Sequence, residues 1–292
     1  MNNLKYVFRS GTALFLGFGC LVALLAYRQF GSQVVGCAAS TIKKISFFEE
    51  AKINLENADQ NTLILFDIDA TLIIPSDVVM RDQTMSLHGP EIEQLRKSVF
   101  GDEEETLNYY FEIWEHSPHA FRLIEPGVVS LIQALQQRGV KVLALSTGNF
   151  IARYPIVDFP QFRSKMLQDL GIDFSKVDLP DTVFDSLPTC HGTKPLLYQG
   201  ILCSEQVSKG VVLGAFLDYM VWKPNRVVFF DDQFINVSSV ARELCQRGIP
   251  FTGYHYLGAE KVSGKWDPAR ALQQFEYLKH HSKWLSDAQI VT

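Results

Sequence analysis

Two pairs of aspartates have the spacing and the setting to do chemistry. In Leu65-Phe66-Asp67-Ile68-Asp69-Ala70-Thr71, Asp67 and Asp69 stand two positions apart directly after the apolar run 62–66. Strand alternation sends both toward one side at the carboxyl end of a buried strand. Asp231-Asp232 follow a second such run at 227–230. Carboxylates delivered in this way can attack as nucleophiles, hold a proton in transit or ligate a hard cation. A third run, 140–145, ends in Ser146-Thr147-Gly148-Asn149, which places hydroxyls at the strand end, where one could donate a hydrogen bond to a ligand. Ser146 is the first choice for that role and Thr147 the alternative.

These residues need a scaffold that brings three strand ends together. The runs 62–66, 140–145 and 226–230 are short and, apart from Thr62, Lys141 and Arg226, apolar, as parallel strands buried on both faces are. Between them lie helical patterns. One opens at Pro126-Gly127, carries Val128, Leu131, Ile132 and Leu135 inward and closes at Arg138-Gly139; another covers 234–247, closes at Gly248 and leads to a further strand at 249–254. Strands alternating with helices predict an α/β fold with a doubly wound parallel sheet, whose ligand sites lie at the carboxyl ends of the strands. Residues 42–57 carry a rough helical spacing and are expected to form a helix outside the sheet. The stretch 154–208 is expected to hold a helix near 162–170 and an extended pair around 182–203.

The order Asp67-Ile68-Asp69-Ala70-Thr71, then Ser146 or Thr147, then Lys209, then Asp231-Asp232 resembles the haloacid-dehalogenase-like (HAD) superfamily over about residues 62 to 256. The first motif of that superfamily is Asp-x-Asp-x-Thr, followed by a Ser or Thr, a Lys and an acidic pair. The phrase Phe-Asp-Ile-Asp is also similar to that of exported bacterial acid phosphatases within it. The resemblance implies a HAD-like core over 41–73 and 124–292, with 74–123 as a small helical cap. In that cap Tyr109, Tyr110 and Trp114 are either substrate contacts or, more commonly for aromatics at helical spacing, core packing.

The resemblance further implies that Asp67 attacks phosphorus to form an aspartyl phosphate. Asp69 then protonates the leaving oxygen and later deprotonates water. Lys209 balances the negative charge, with Lys194 and Lys176 as competing lysines. Asp67, Asp69, Asp231 and Asp232 form an oxygen-rich site for magnesium, in which Asp232 is favoured over Asp231 as the direct ligand. Family dehalogenases and phosphonatases lack the second carboxylate, so Asp69 favours phosphate esters. The expected activity is magnesium-dependent hydrolysis of a small phosphomonoester. The alternatives are phosphoryl transfer of the mutase kind, and a non-catalytic member that binds a phosphorylated ligand or a protein partner. Two positions depart from the family pattern: Ala70 stands where Gly is common, and Asn236 where a further Asp is frequent.

Composition narrows the partners. A formal net charge of -5 leaves no basic stripe for a nucleic-acid backbone. The acidic run Gly101-Asp102-Glu103-Glu104-Glu105 reads as a solvated loop or helix start. His116 and His119 with Glu112 and Glu115 surround Pro118, which breaks a helical presentation of ligands, so surface or packing roles are expected. Five cysteines without a Cys-x-x-Cys spacing point to neither a zinc site nor a disulfide framework. A bridge between Cys190 and Cys203 would require a hairpin between them and an exported domain.

Residues 1–40 are read apart from the rest. An apolar run at 11–27 follows Lys5 and Arg9 and ends at Arg28, the pattern of a signal peptide or membrane anchor. A membrane-anchored or exported protein is expected, with this segment as the part that inserts.

Overall fold

The computed structural model describes residues 40–102, 113–117, 119–147, 158–190 and 192–290. The apolar run at 11–27 and residues Tyr109, Tyr110 and Glu112 lie outside the described residues. An eight-stranded sheet organises the chain in the order β1-β10-β9-β2-β5-β8-β7-β6. Its middle strands are β2 (Thr62–Phe66), β5 (Lys141–Ser146) and β9 (Arg226–Asp231), the three expected from their apolar runs. β2 is buried along its whole length. It pairs in parallel with β5, Phe66 opposite Ala144, and with β9, Phe66 opposite Phe230.

Successive residues of these strands face opposite sides and meet different helices. Ile64, Phe66, Val142, Ala144, Val228 and Phe230 share a core with α3 (Val128–Gln137) and α4 (Phe159–Asp169). Leu63, Leu65, Leu143, Leu145, Val227 and Phe229 share another with α5 (Lys209–Tyr219) and α6 (Phe234–Gln246). Both faces are therefore covered, which is why the strands are continuously apolar.

Chain order reverses at β2. From β2 the chain adds β5 and then β8 (Ile201–Cys203) on one side and later β9 and β10 (Phe251–Tyr256) on the other, where the first strand, β1 (Ser40–Ile45), forms the edge. A crevice opens at such a reversal, beyond the carboxyl ends of the strands.

One expectation is corrected. Residues 42–57 do not form one helix: β1 pairs in parallel with β10 at the sheet edge, and a 3₁₀ turn (Phe48–Ala51) and the short α1 (Lys52–Glu56) follow. The solvent-facing Lys43 and Lys44 hide the strand character of an edge position. The extended region around 182–203 also belongs to the central sheet. β6 (Thr182–Val183), β7 (Leu196–Tyr198) and β8 form an antiparallel set, and β8 docks in parallel on β5.

Residues 73–123 begin and end in a small hairpin, β3 (Ile73–Pro75) with β4 (Phe121–Leu123). Between them runs α2 (Asp82–Phe100). Its apolar face does not close on itself. Val79, Ile92, Val99 and Trp114 pack with Ala271, Phe275 and Leu278 of α7 (Pro268–His281) and with Trp284. Among the described residues, no helix is long and apolar enough to cross a membrane.

Candidate active site

The three middle strands deliver their polar ends to one place. Asp67 leaves β2 with its backbone N–H still bonded to Phe230 O at 2.8 Å, so its position is tied to β9. The turn that follows is tight: Ile68 O accepts from Leu72 and Ile73 N–H groups at 2.8 and 3.0 Å. Ala70 takes a φ of 56° within it. A left-handed backbone there is what glycine supplies without strain, which gives a physical meaning to the departure at this position. The buried Thr71 hydroxyl accepts from the Asp232 N–H at 3.1 Å, linking the turn to the end of β9.

Lys209 sits at the first residue of α5 and is 1% exposed. Its Nζ donates to Asp67 Oδ1 at 2.7 Å and to Asp231 Oδ2 at 2.6 Å. Gly210 is what lets α5 come this close: a Cβ there would stand 2.3 Å from the Ser239 carbonyl oxygen of α6. The Gly210 N–H donates to Ser239 Oγ at 3.2 Å, pinning the amino end of α5. Lys194 lies elsewhere, donating to Asp185.

Asp231 is fully buried and its other oxygen is also engaged. Oδ1 accepts from the Gln233 N–H at 2.8 Å and from Asn236 Nδ2 at 3.1 Å. Asn236 thus orients a carboxylate of the acidic pair. Asp67, Asp231 and Asp232 each offer an oxygen within 4.8 Å of the others. Burial, together with the Asp67 and Asp231 charges, pushes the Asp232 carboxyl up to about 9. Burial likewise pushes Asp67 up to about 7, against the pull of Lys209. Burial also opposes the charge on Lys209, but the attraction of Asp231 and Asp67 outweighs it and its pKa is raised. Three carboxylates against one ammonium leave negative charge uncompensated. A small divalent cation with oxygen ligands fits this donor set, and the oxygens not already held by Lys209, Gln233 and Asn236 are those of Asp232 and Asp67 Oδ2.

Asp69 stands apart from the three-carboxylate group. Its Oδ1 accepts from Arg163 Nη1 at 3.0 Å. Arg163, on α4, is 7% exposed, with its guanidinium 5.1 Å from the Phe159 ring and 5.7 Å from the Phe121 ring. Nothing in the local sequence marks Arg163, which meets Asp69 across 94 positions. Asp82, in the first turn of α2, also escapes a sequence reading. Its carboxyl is pushed up by surrounding protein and by the Asp69 charge, and its own charge acts on Asp232, although the side chain keeps contact with solvent.

Ser146 is buried at the carboxyl end of β5, while Thr147 beyond it is exposed. Trp114 is buried against Phe121 and belongs to the packing of α2 with α7. His116 and His119 are exposed and do not join the carboxylate group. Cys190 and Cys203 carry free thiols.

Comparisons with known proteins place this geometry in a family. A Chlamydia muridarum protein named "Putative outer membrane protein" is 24% identical over 254 residues, 86% of this chain and 90% of its own. A Rickettsia prowazekii protein named as uncharacterized is 24% identical over 234 residues, 80% of this chain and 83% of its own. Among solved structures, a HAD family hydrolase from Salmonella enterica serovar Typhi superposes with a TM-score of 0.31 at 16% identity, covering 68% of each chain; a superposition of that size carries no argument. The family model described as "Protein of unknown function (DUF2608)" matches residues 44–291, and the chain belongs to that family.

Proposed function

We propose that this protein is a magnesium-dependent phosphohydrolase of the HAD-like kind, acting on a small phosphomonoester. The observation that carries the reading is the convergence of Asp67, Lys209, Asp231 and Asp232 at the reversal point of the sheet, with Asp69 one turn away on the same loop. A carboxylate oxygen of Asp67 attacks phosphorus and the bond to the leaving oxygen breaks, giving an aspartyl phosphate and an alcohol. Asp69, positioned by Arg163, gives the leaving oxygen its proton and then takes one from the water that hydrolyses the aspartyl phosphate. Lys209 stays protonated between Asp67 and Asp231 and offsets negative charge as the phosphoryl group arrives. Ser146, at the end of β5, donates to a phosphoryl oxygen. Asp67 and Asp232, with Asp231 close by, would hold a magnesium ion, which would supply further charge neutralisation at the phosphate.

The segment 74–123 acts in this reading as a cap, since it leaves the core through β3, directly after the Asp67 turn, and returns through β4. The names of the Chlamydia relatives support an envelope location, with the apolar run at 11–27 as the anchor or export signal.

The test is hydrolysis of a small aryl phosphate with and without chelator. Asp67→Asn is expected to lose at least about 10³-fold in rate while keeping its thermal transition, because the amide preserves shape and cannot attack. Wild-type turnover in that variant, or a rate indifferent to chelator, would refute the mechanism.

A further inference from the structure

A cavity of about 570 Å³ opens between the segment after β3, the strand β4 and the loop entering α7, and none of Asp67, Asp69, Asp231 or Asp232 lines it. β4 separates the two sites. Phe121 and Arg122 are successive strand residues and face opposite sides. The Phe121 ring lies beside Arg163 and hence on the side of Asp69, whereas Arg122 lines the cavity.

The cavity is basic within an acidic chain of net charge -5. Arg81, Arg122, Lys265 and Arg270 line it against Asp267 and Asp287. Both carboxylates are engaged elsewhere. Asp267 Oδ1 caps α7 by accepting from the Ala269 and Arg270 N–H groups at 3.0 and 3.2 Å. Asp287 accepts from the Val78 N–H at 3.0 Å and from Gln274 Nε2 at 3.1 Å. Among the described residues, none of the four cations forms a salt bridge.

Arg81 is a fixed charge rather than a mobile one. It is 4% exposed and donates to the Pro75, Ser76 and Ser263 carbonyls at 3.1, 2.8 and 2.8 Å. Gly264 lets the loop close over it, since a Cβ there would stand 2.6 Å from Arg81 Nη1. Burial and the nearby Arg122 charge lower the Arg81 pKa against the pull of Asp287 and Asp77, so two guanidinium groups are held close together. Arg270 Nε is buried without a hydrogen-bond partner. One wall is Trp266, immobilised by the bond from its Nε1 to Glu91 Oε2 at 2.8 Å and by stacking on His88. The volume falls in the range of small-molecule sites, roughly 300–1,000 Å³, and exceeds what a bare phosphate fills.

We propose that this cavity is a second, non-catalytic site for a phosphorylated small molecule. Its dianionic head is held by Arg122, Lys265 and Arg270 beside Arg81, since converging guanidinium groups match phosphate oxygens. Its apolar or ring portion lies on Trp266. The inference stands apart from the hydrolase reading, because no residue of the catalytic group takes part.

Phenylphosphonate, a dianion with a ring that no phosphatase cleaves, is titrated calorimetrically into the full-length chain in chelator. Saturable binding is expected, weakened at least about tenfold in Arg122→Glu/Arg270→Glu and retained in Lys209→Met, which removes the catalytic cation. Arg122→Glu alone, at an exposed side chain whose loss leaves folding intact, is expected to weaken binding in the same direction. Absence of saturable binding up to about 10 mM overturns the proposal. So does binding that survives both arginine variants, or that is lost with Lys209 alone.

Discussion

Asp67, buried, and Asp232, half-buried, both hold protons more tightly than free aspartates, up to about 7 and about 9. A folded-state pKa raised above the unfolded value means that the native protein binds more protons across that interval. Metal-free stability therefore falls as pH rises from about 4 through 7 and on toward 9. Magnesium needs both carboxylates ionised, so it competes with these protons. The rise in Tm produced by a fixed magnesium concentration is expected to be larger at pH 9 than at pH 6. An equal rise at both values would show that the ion does not bind at Asp67 and Asp232.

A second residue-scale expectation concerns Ala70, whose φ of 56° costs an L-residue roughly 1–2 kcal/mol. Glycine removes that cost and returns about 0.5–1 kcal/mol through its freer unfolded chain. Ala70→Gly is thus expected to stabilise by about 0.5 kcal/mol or more, seen as a higher denaturant midpoint at unchanged slope. A lower midpoint would mean that the Ala70 methyl makes a contact worth more than the strain.

At the scale of elements, α2 and α7 are one packing unit. Phe275 of α7 is buried beside Phe100 at the end of α2 and beside Trp284. Phe275→Ala is expected to cost about 3–5 kcal/mol and to increase hydrogen exchange in α2 as well as α7. Loss of protection confined to α7 would show that the two helices are held independently. The same packing means that deleting 74–123 would strip α7 of its cover, so such a deletion tests folding together with substrate choice.

The middle strands and the helices α3, α4 and α6 were legible because burial on both faces leaves a continuous apolar run, and because each of these helices carries an apolar stripe and is followed by a glycine. β1 was not, since Lys43 and Lys44 on a solvent-facing edge blur the alternation. β8 was placed in a hairpin but not in the central sheet, because its pairing with β5 depends on a contact across 57 positions, Ala144 to Ile201, that has no local sign.

For the whole molecule, the run at 11–27 is expected to take the protein to or across a membrane, as about 17 apolar residues behind Lys5 and Arg9 suit insertion. Full-length protein is expected in the membrane or exported fraction, and the chain lacking residues 1–39 in the soluble one. Recovery of the full-length chain wholly in the cytosolic fraction would contradict this.

The sequence by itself determined which groups are available for chemistry and at which strand ends they emerge. A doubly buried strand admits polar residues only where it leaves the sheet, so Asp67, Ser146 and Asp231 could be located from the apolar runs before them. Only the tertiary structure decided which of these groups touch. Lys209 joins Asp67 across 142 positions and Asp231 across 22, Arg163 rather than the acidic pair receives Asp69, and Asn236 supports Asp231. Such pairings follow from the order of strands in the sheet and from the close seating of α5 on α6. Both are settled by packing between distant segments, which local periodicity does not encode.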